Sequence, residues 1–440
     1  MDESRTRSPD TAAVHAGQVP DPTTLSRAVP IYRTSAYQFK SAEHAVRLFS
    51  LQEAGNIYSR LGNPTNDVLE ARITELEGGA ASVTVASGTA AIFNTVVTIA
   101  KLGDEIVSAP NLYGGTYTMF DAILPDMGIK TNFAASHAPK DFDRAITPKT
   151  RMLYVETIGN PALDLADIEG IAKVAHTHGL PLVVDATFTT PYLMRTIDLG
   201  ADIVVNSLTK WMSGHGVALG GSVTDAGRFD WSDPRFELFN RPDPAYHGLR
   251  WAADLPPESR KVAFALRFRT GPLRNLGACM SPDNAWQFLQ GLETLHVRMP
   301  RHCDNGLAVA RHLKAHPKVA WVRYPGLPGD PSYELARRTL TKGAGGMVVF
   351  GVKGGRAAGQ KFIESLKMFS HVANVGDAKS LAIHPASTTH SQLSDEQQRA
   401  AGVPPDLVRL SIGIEAIEDI IADLDGALGE IGRASCRERV

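Results

Sequence analysis

Apolar positions in this chain follow two rhythms. Leu182-Val183-Val184 and Ile203-Val204-Val205 are short, β-branched and unbroken by polar residues, as strands buried on both faces are. Similar short runs fall at 82–85, 105–109, 152–156 and 217–224. Between them lie stretches that read as helices at 65–76, from Gly88 onward, and at 167–178. Strands alternating with helices predict an α/β fold, with a mostly parallel sheet wrapped by helices.

The ends of the chain depart from this rhythm. Residues 1–64 lack strong periodicity and read as an extended arm with one helix over 41–53, closed by the Gly62-Asn63-Pro64 turn. A long helix is expected over 282–311, with a kink at Pro300. The domain boundary is placed inside it, giving an arm over 1–64, an α/β domain over 65–290 and a smaller α+β domain over 291–431. Strands at 319–324, 347–352 and 407–411 and helices at 355–368 and 417–428 are predicted for the smaller domain. The basic, polar residues 432–440 read as a tail outside the fold.

Composition narrows the class. A net charge of −2 advertises no basic field for nucleic acid or an anionic membrane. Cys279, Cys303 and Cys436 are far apart and form no Cys-x-x-Cys pair, so neither a disulfide framework nor a zinc ribbon is suggested. The polar N-terminus has no apolar signal core, and no run approaches the roughly 20 apolar residues of a membrane span. A cytoplasmic enzyme is expected. His176, His178, His384 and His390 lack a metalloprotease spacing, and no metal is expected. Cys303 reads as a helix-face residue.

Candidate chemistry sits at the ends of the two clearest strands. Ligand sites of open α/β sheets lie at the C-terminal strand edge. There Asp185 follows one run, and Ser207, Thr209 and Lys210 follow the other. An amine that can condense with an aldehyde, and an acid that can hold a ring nitrogen protonated, suit pyridoxal phosphate. Ser87-Gly88-Thr89, between a strand and a helix, fits either a phosphate site or an ordinary capped turn. Tyr113 fits either stacking on a flat cofactor or packing. There is no G-x-G-x-x-G and no Walker lysine, which disfavours nucleotide folds.

Five stretches in order, Tyr58-Ser-Arg60, Ser87-Gly88-Thr89, Asp185-Ala-Thr187, Ser207-Leu-Thr-Lys210 and Arg409-Leu-Ser-Ile-Gly413, resemble the Cys/Met-metabolism family of pyridoxal-phosphate enzymes. The resemblance runs over residues 15–429. It implies the fold-type I, aminotransferase-like architecture with a seven-stranded sheet. It also implies roles. Lys210 would capture the cofactor's aldehyde and move protons, and Asp185 would pair with the ring nitrogen. Ser87, Gly88, Thr89, Ser207 and Thr209 would hold the phosphate, and Thr187 would belong to the cofactor site. Tyr58 and Arg60 would reach the neighbouring subunit's phosphate site. Tyr113 would stack on the ring and assist the leaving group. Arg409, with Ser380 and Asn160, would hold the substrate carboxylate, Asn160 also serving the cofactor.

Within the family, the stretch Lys379-Ser-Leu-Ala-Ile-His-Pro-Ala-Ser-Thr-Thr-His390 and the segment 236–255 are most similar to O-acetylhomoserine sulfhydrylases. Cystathionine γ-synthases, cystathionine γ-lyases and methionine γ-lyases tend to carry a glycine pair where this chain has Ala382-Ile383. The implied reaction is γ-replacement on an amino-acid ester by sulfide or a small thiol, methanethiol included. The implied assembly is a homotetramer, a dimer of dimers with shared sites. A non-catalytic α/β binding protein that kept the scaffold is the alternative from another class.

Overall fold

A computed structural model of the chain describes residues 7–388, 391, 394, 396, 398 and 402–432. The expected tail over 432–440, apart from its first residue, lies outside the described residues, as do Cys436 and His390.

Seven strands form the larger sheet: β1 (Ala81–Val85), β2 (Glu105–Ser108), β3 (Lys130–Phe133), β4 (Thr150–Glu156), β5 (Leu182–Asp185), β6 (Ile203–Ser207) and β7 (Gly221–Asp225). Their order is β1-β7-β6-β5-β4-β2-β3. Only β7 runs against its neighbours, so six strands point the same way, as the α/β rhythm predicts. Val183, Val184, Val204 and Leu153 are fully buried, which explains why no polar residue interrupts these runs. Burying each such side chain contributes about 1.5–3 kcal/mol.

The helices stop and start where local chemistry dictates. Asn63 caps Pro64–Glu77 by accepting from the Thr65 N–H, and Gly78, at φ 72°, ends that helix in the left-handed region. Ser87 caps Gly88–Ile99 through the Ala90 N–H, and Asp167 caps Ile168–Thr177 through the Gly170 N–H.

A second, five-stranded sheet has the order β10-β11-β12-β9-β8. Its strands are β8 (Val319–Arg323), β9 (Met347–Val352), β10 (Ser370–His371), β11 (Leu381–Ile383) and β12 (Leu407–Ser411). The helices Leu295–Ala315 and Gly355–Ser365 pack on it, and Ile417–Glu430 packs against both of them.

Several expectations need correction. The helix expected over 282–311 is two helices, Pro282–Glu293 and Leu295–Ala315. The break falls at Thr294, at φ −110° and ψ 4°, and not at Pro300. Thr294 donates its hydroxyl to the Gly291 carbonyl, which the Arg298 guanidinium also takes, so the end of the first helix is satisfied without a continuing turn. Pro300 is the sixth residue of the second helix, which gives up one backbone donor there and continues through it. The N-terminal arm contains an unexpected helix, Pro9–His15, whose Ala12 and Ala13 are buried against Pro64–Glu77. Strand β7 begins only at Gly221, because residues 217–219 remain outside the sheet. Strands β3, β10 and β11 were not anticipated. The first is a polar edge strand, and the others have only two and three residues.

Candidate active site

All six parallel strands end on one edge, where the antiparallel β7 begins. Asp185 is the last residue of β5. Its carboxylate accepts from the Thr187 N–H at 2.9 Å and from the Tyr154 hydroxyl at 3.3 Å. Burial raises the Asp185 carboxyl above its ordinary range, and these hydrogen bonds pull it partly back. The Thr187 hydroxyl accepts from the Ser207 N–H at 2.8 Å and so ties the end of β5 to the end of β6.

Next to this pair lies the N-terminus of the helix Gly88–Ile99. A Cβ on Gly88 would come within 2.7 Å of the Ser207 Cβ. One on Gly221 would come within 2.2 Å of the Ser87 carbonyl oxygen. Gly221 is the register partner of both Val85 and Ser207, so these glycines let β1, β6 and β7 close on the helix start. The Thr209 hydroxyl accepts from the Gly220 N–H at 3.1 Å, which fixes the adjoining turn. Thr89 is exposed at the same helix start.

Lys210 follows β6 in a turn, its carbonyl accepting from the Gly214 N–H at 2.7 Å. Its Nζ donates to the Asn374 side-chain oxygen at 2.5 Å. Burial, then the neighbouring Arg409 cation, lower the Lys210 ammonium to about 8. Arg409 lies on β12 and donates through Nη1 to the Asn160 side-chain oxygen at 3.0 Å. Burial brings it down to about 10, with Tyr113 opposing the change. Thus the two sheets converge: Lys210, Asn160 and Tyr113 come from the large one, and Arg409 and Asn374 from the small one. Tyr113 is 53% exposed, and its N–H donates to Glu156 Oε1 at 2.7 Å.

Two groups of expected site residues are placed differently. The Ser380 hydroxyl donates to Glu415 Oε2 at 2.9 Å and accepts from the Gly413 N–H at 2.9 Å. Its own N–H donates to Glu415 Oε1 at 2.6 Å. Fully buried and fully partnered, it braces the turn after β12 rather than presenting a free hydroxyl. Tyr58, 43% exposed, carries the Arg60 guanidinium 5.3 Å from its ring centroid. The pair is joined to none of the other site residues within the chain by a described hydrogen bond or ion pair.

Sequence reasoning missed Asn374, Glu156 and Tyr154. Glu156 ends a correctly expected strand beside Asp185 and could have been read as a second acid on the edge. Asn374 lies outside any periodic segment and left no such signal. The histidines that were set aside are partnered inside the protein. His176 meets Asp202 at 2.8 Å and His178 meets Asp143 at 2.7 Å, while His384 meets the Pro405 carbonyl. Cys303 lies buried on the helix Leu295–Ala315, as expected. Among the described residues no helix is long and apolar enough to cross a membrane.

The donor set suits a phosphorylated aldehyde heterocycle. A twelve-residue helix offers its first N–H groups between Ser87 and Ser207, where a side chain at 88 would fill the space. An amine with a lowered proton affinity and an acid at the end of β5 complete the set.

Comparison with known proteins agrees. The family model for the Cys/Met metabolism PLP-dependent enzymes matches residues 10–429. An O-acetyl-L-homoserine sulfhydrylase of Leptospira meyeri is 51% identical over 428 residues, which are 96% of this chain and 97% of that protein. A homocysteine synthase of Schizosaccharomyces pombe is 50% identical, over 95% of this chain and 97% of its own. A solved Campylobacter jejuni structure, assigned as an O-acetylhomoserine (thiol)-lyase and carrying N′-pyridoxyl-lysine 5′-monophosphate, superposes with a TM-score of 0.92 at 39% identity. The match covers 96% of this chain and all of that one.

Proposed function

The chain belongs to the Cys/Met metabolism family of PLP-dependent enzymes, and from that premise we propose that it converts O-acetyl-L-homoserine and sulfide into homocysteine and acetate. Methanethiol in place of sulfide would give methionine. The observation that carries this reading is that Asp185 and Lys210 stand at one strand edge of the large sheet and Arg409 reaches Asn160 from the small sheet, with burial and then Arg409 lowering the amine to about 8.

The cofactor is pyridoxal phosphate, which when bound supplies an electron sink for the pair left at the substrate's Cα. Ser87, Gly88, Thr89, Ser207 and Thr209 would hold its phosphate, with Tyr58 and Arg60 contributed by a neighbouring subunit. Asp185, oriented by Thr187, would keep the ring nitrogen protonated. Lys210 is the attachment point and the mobile base. With its ammonium lowered to about 8, it is half-protonated near pH 8 and keeps a far larger share of free amine at neutral pH than an ordinary lysine, so it can both take a proton from Cα and return one. Arg409 offers a planar fork to the substrate α-carboxylate, and Asn160 orients that fork. Tyr113, half-exposed after β2, would stack on the cofactor ring and assist departure of acetate. Ser380 acts indirectly, by bracing the turn that follows Arg409.

The proposed organisation is an arm over 1–64, a cofactor domain over 65–290 and a smaller domain over 291–431. Homotetramers with shared sites, in the cytoplasm, complete the reading. The exposed Tyr58–Arg60 pair, joined among the described residues to no other site residue by a hydrogen bond or ion pair, is free to meet a neighbouring subunit.

The test is product analysis with O-acetylhomoserine, with and without sulfide. Homocysteine and acetate in equal amounts, only when sulfide is added, are expected. An oxoacid and ammonia without sulfide would replace this reading with a lyase. A purified protein that takes up no pyridoxal phosphate would support a binding protein instead.

A further inference from the structure

Strands β4 and β5 bring two buried acids side by side. Glu156 and Asp185 are register partners at the last position of the ladder. Neighbouring strands lie about 4.8 Å apart, and partners in register share a face. Two carboxylates that close, out of water, cannot both ionise cheaply. The titratable groups facing Glu156 are Asp185 on β5 and Tyr154 on its own strand, with the Tyr113 backbone beyond the end of β2. No cation faces either acid closely enough to form an ion pair among the described residues.

Hydrogen bonding decides which acid keeps the charge. Asp185 accepts from an N–H and from an O–H, both of which favour its anion. Glu156 accepts one N–H, that of Tyr113. A neutral carboxyl serves that bond through its carbonyl oxygen. Burial together with Asp185 pushes the Glu156 carboxyl well above the usual carboxylate range, in agreement with the geometry. The bond matters because the Tyr113 ring folds back toward Gly115, where a Cβ would meet Cε1 at 2.6 Å. The backbone at 113 therefore sets where the ring lies.

We propose that Glu156 is a positioning residue that works as a neutral acid, anchoring the Tyr113 backbone while leaving the negative charge of the pair on Asp185. The proposal rests on the cofactor reading above in assigning Tyr113 and Asp185 to the ring.

Glu156→Gln keeps the carbonyl acceptor and cannot ionise. In the holoenzyme it is expected to hold kcat within about threefold and to leave the pH midpoint of the cofactor's absorbance unmoved. Glu156→Ala removes the acceptor and is expected to lower kcat about 100-fold. Its cofactor dissociation constant should rise far less than kcat falls, because Lys210 and the phosphate cradle are untouched and only the Tyr113 contact is loosened. Rescue by Gln of what Ala loses is the signature of a neutral anchor. A Gln variant as slow as the Ala variant, or one with a shifted absorbance midpoint, would overturn the neutral role. An Ala variant as fast as the unsubstituted protein would overturn the anchoring. Should Glu156→Ala fail to fold by circular dichroism, Glu156→Gln alone decides.

Cofactor-free protein supplies an arm independent of the cofactor reading. A folded state that keeps a proton the unfolded chain releases loses stability as pH rises above the free carboxylate value, about tenfold per unit in the folding equilibrium. Glu156→Gln should flatten the slope by that amount, and an unchanged slope would sink the proposal. Failure of the cofactor reading would show separately, as an unsubstituted protein that binds no pyridoxal phosphate.

Discussion

The edge of the seven-stranded sheet presents Asp185, Ser207 and Lys210 at or just past the ends of strands buried on both faces, while the five-stranded sheet presents Arg409 from within β12 and Asn374 from the loop between β10 and β11. On the first edge, positions are set by backbone register and by backbone N–H groups, as in Thr187 to Asp185 and Ser207 to Thr187. On the second, the links that reach across are side chain to side chain: Arg409 to Asn160 and Lys210 to Asn374. Side-chain links can exchange partners when a ligand arrives, whereas register cannot. The large edge is thus suited to hold what stays in the site, and the small edge to grip what comes and goes.

That contrast can be broken most severely at Lys210. Replacing it by Ala removes the amine from the large edge and should lower kcat by about 10²- to 10⁴-fold, as loss of a general acid–base group does. Substrate binding through Arg409 should persist, so titration of the variant with O-acetylhomoserine in a calorimeter should still give heat. A variant with substantial turnover would place the chemistry elsewhere.

The comparison also explains what could be read before the structure was known. Leu182–Asp185 and Ile203–Ser207 were legible because strands buried on both faces leave an uninterrupted apolar signature that ends where solvent begins. Asp185 and Lys210 were conspicuous at those ends. Strands β9 and β12 were found to the residue for the same reason, each carrying a buried run. By contrast, Leu381–Ile383 and Ser370–His371 are too short to show a period, and Lys130–Phe133 is a polar edge. Asn374 sits between two such fragments, so nothing local marked it. Ser380 was visible as a polar residue, but its burial against Glu415 depends on a turn more than 30 residues away in sequence. The break at Thr294 was misplaced because a Pro is a plain signal in sequence, whereas the groups that take the Gly291 carbonyl, the Thr294 hydroxyl and the Arg298 guanidinium, carry no residue pattern that marks a helix end.

Arg409→Ala probes the small edge directly. Loss of a charge-assisted grip costs about 1.5–3 kcal/mol, so kcat/KM should fall by roughly 10- to 150-fold. If the division of labour holds, most of the loss appears in KM. A fall confined to kcat would mean that Arg409 acts on the chemistry and that the two edges are not separable in this way.

The coupling between the edges is subtler and is read by titration. In cofactor-free protein, modification of Lys210 by an amine reagent, followed by peptide mass spectrometry, should be half-maximal near pH 8. Arg409 is a like charge that disfavours the ammonium, so Arg409→Ala should move that midpoint upward. It should remain below the value of a free lysine, because burial is the larger cause. A midpoint that does not move would make the two sheets electrostatically independent.

The smallest effect on turnover is expected behind the large edge, at Glu77. This buried acid accepts from the Asn206 side-chain N–H at 2.7 Å, one residue before Ser207. Its other oxygen and the Asn206 carbonyl oxygen are both buried without a partner. Burial raises the Glu77 carboxyl to about 7. The unfolded chain releases this proton near pH 4.3, so over the window from there to about 7 the folded state holds the extra proton. Stability therefore falls as pH rises through that window and levels off above it, with a total cost of about 4 kcal/mol. Glu77→Gln removes the titration and supplies an N–H that the Asn206 oxygen lacks. Denaturant melts should show the variant about as stable as the unsubstituted protein in acid and more stable near pH 8, with kcat little changed. Equal stability at both pH values would mean that Glu77 is ionised in the fold. The support beneath Ser207 would then be a charge, and register would not be the whole reason the large edge stays fixed.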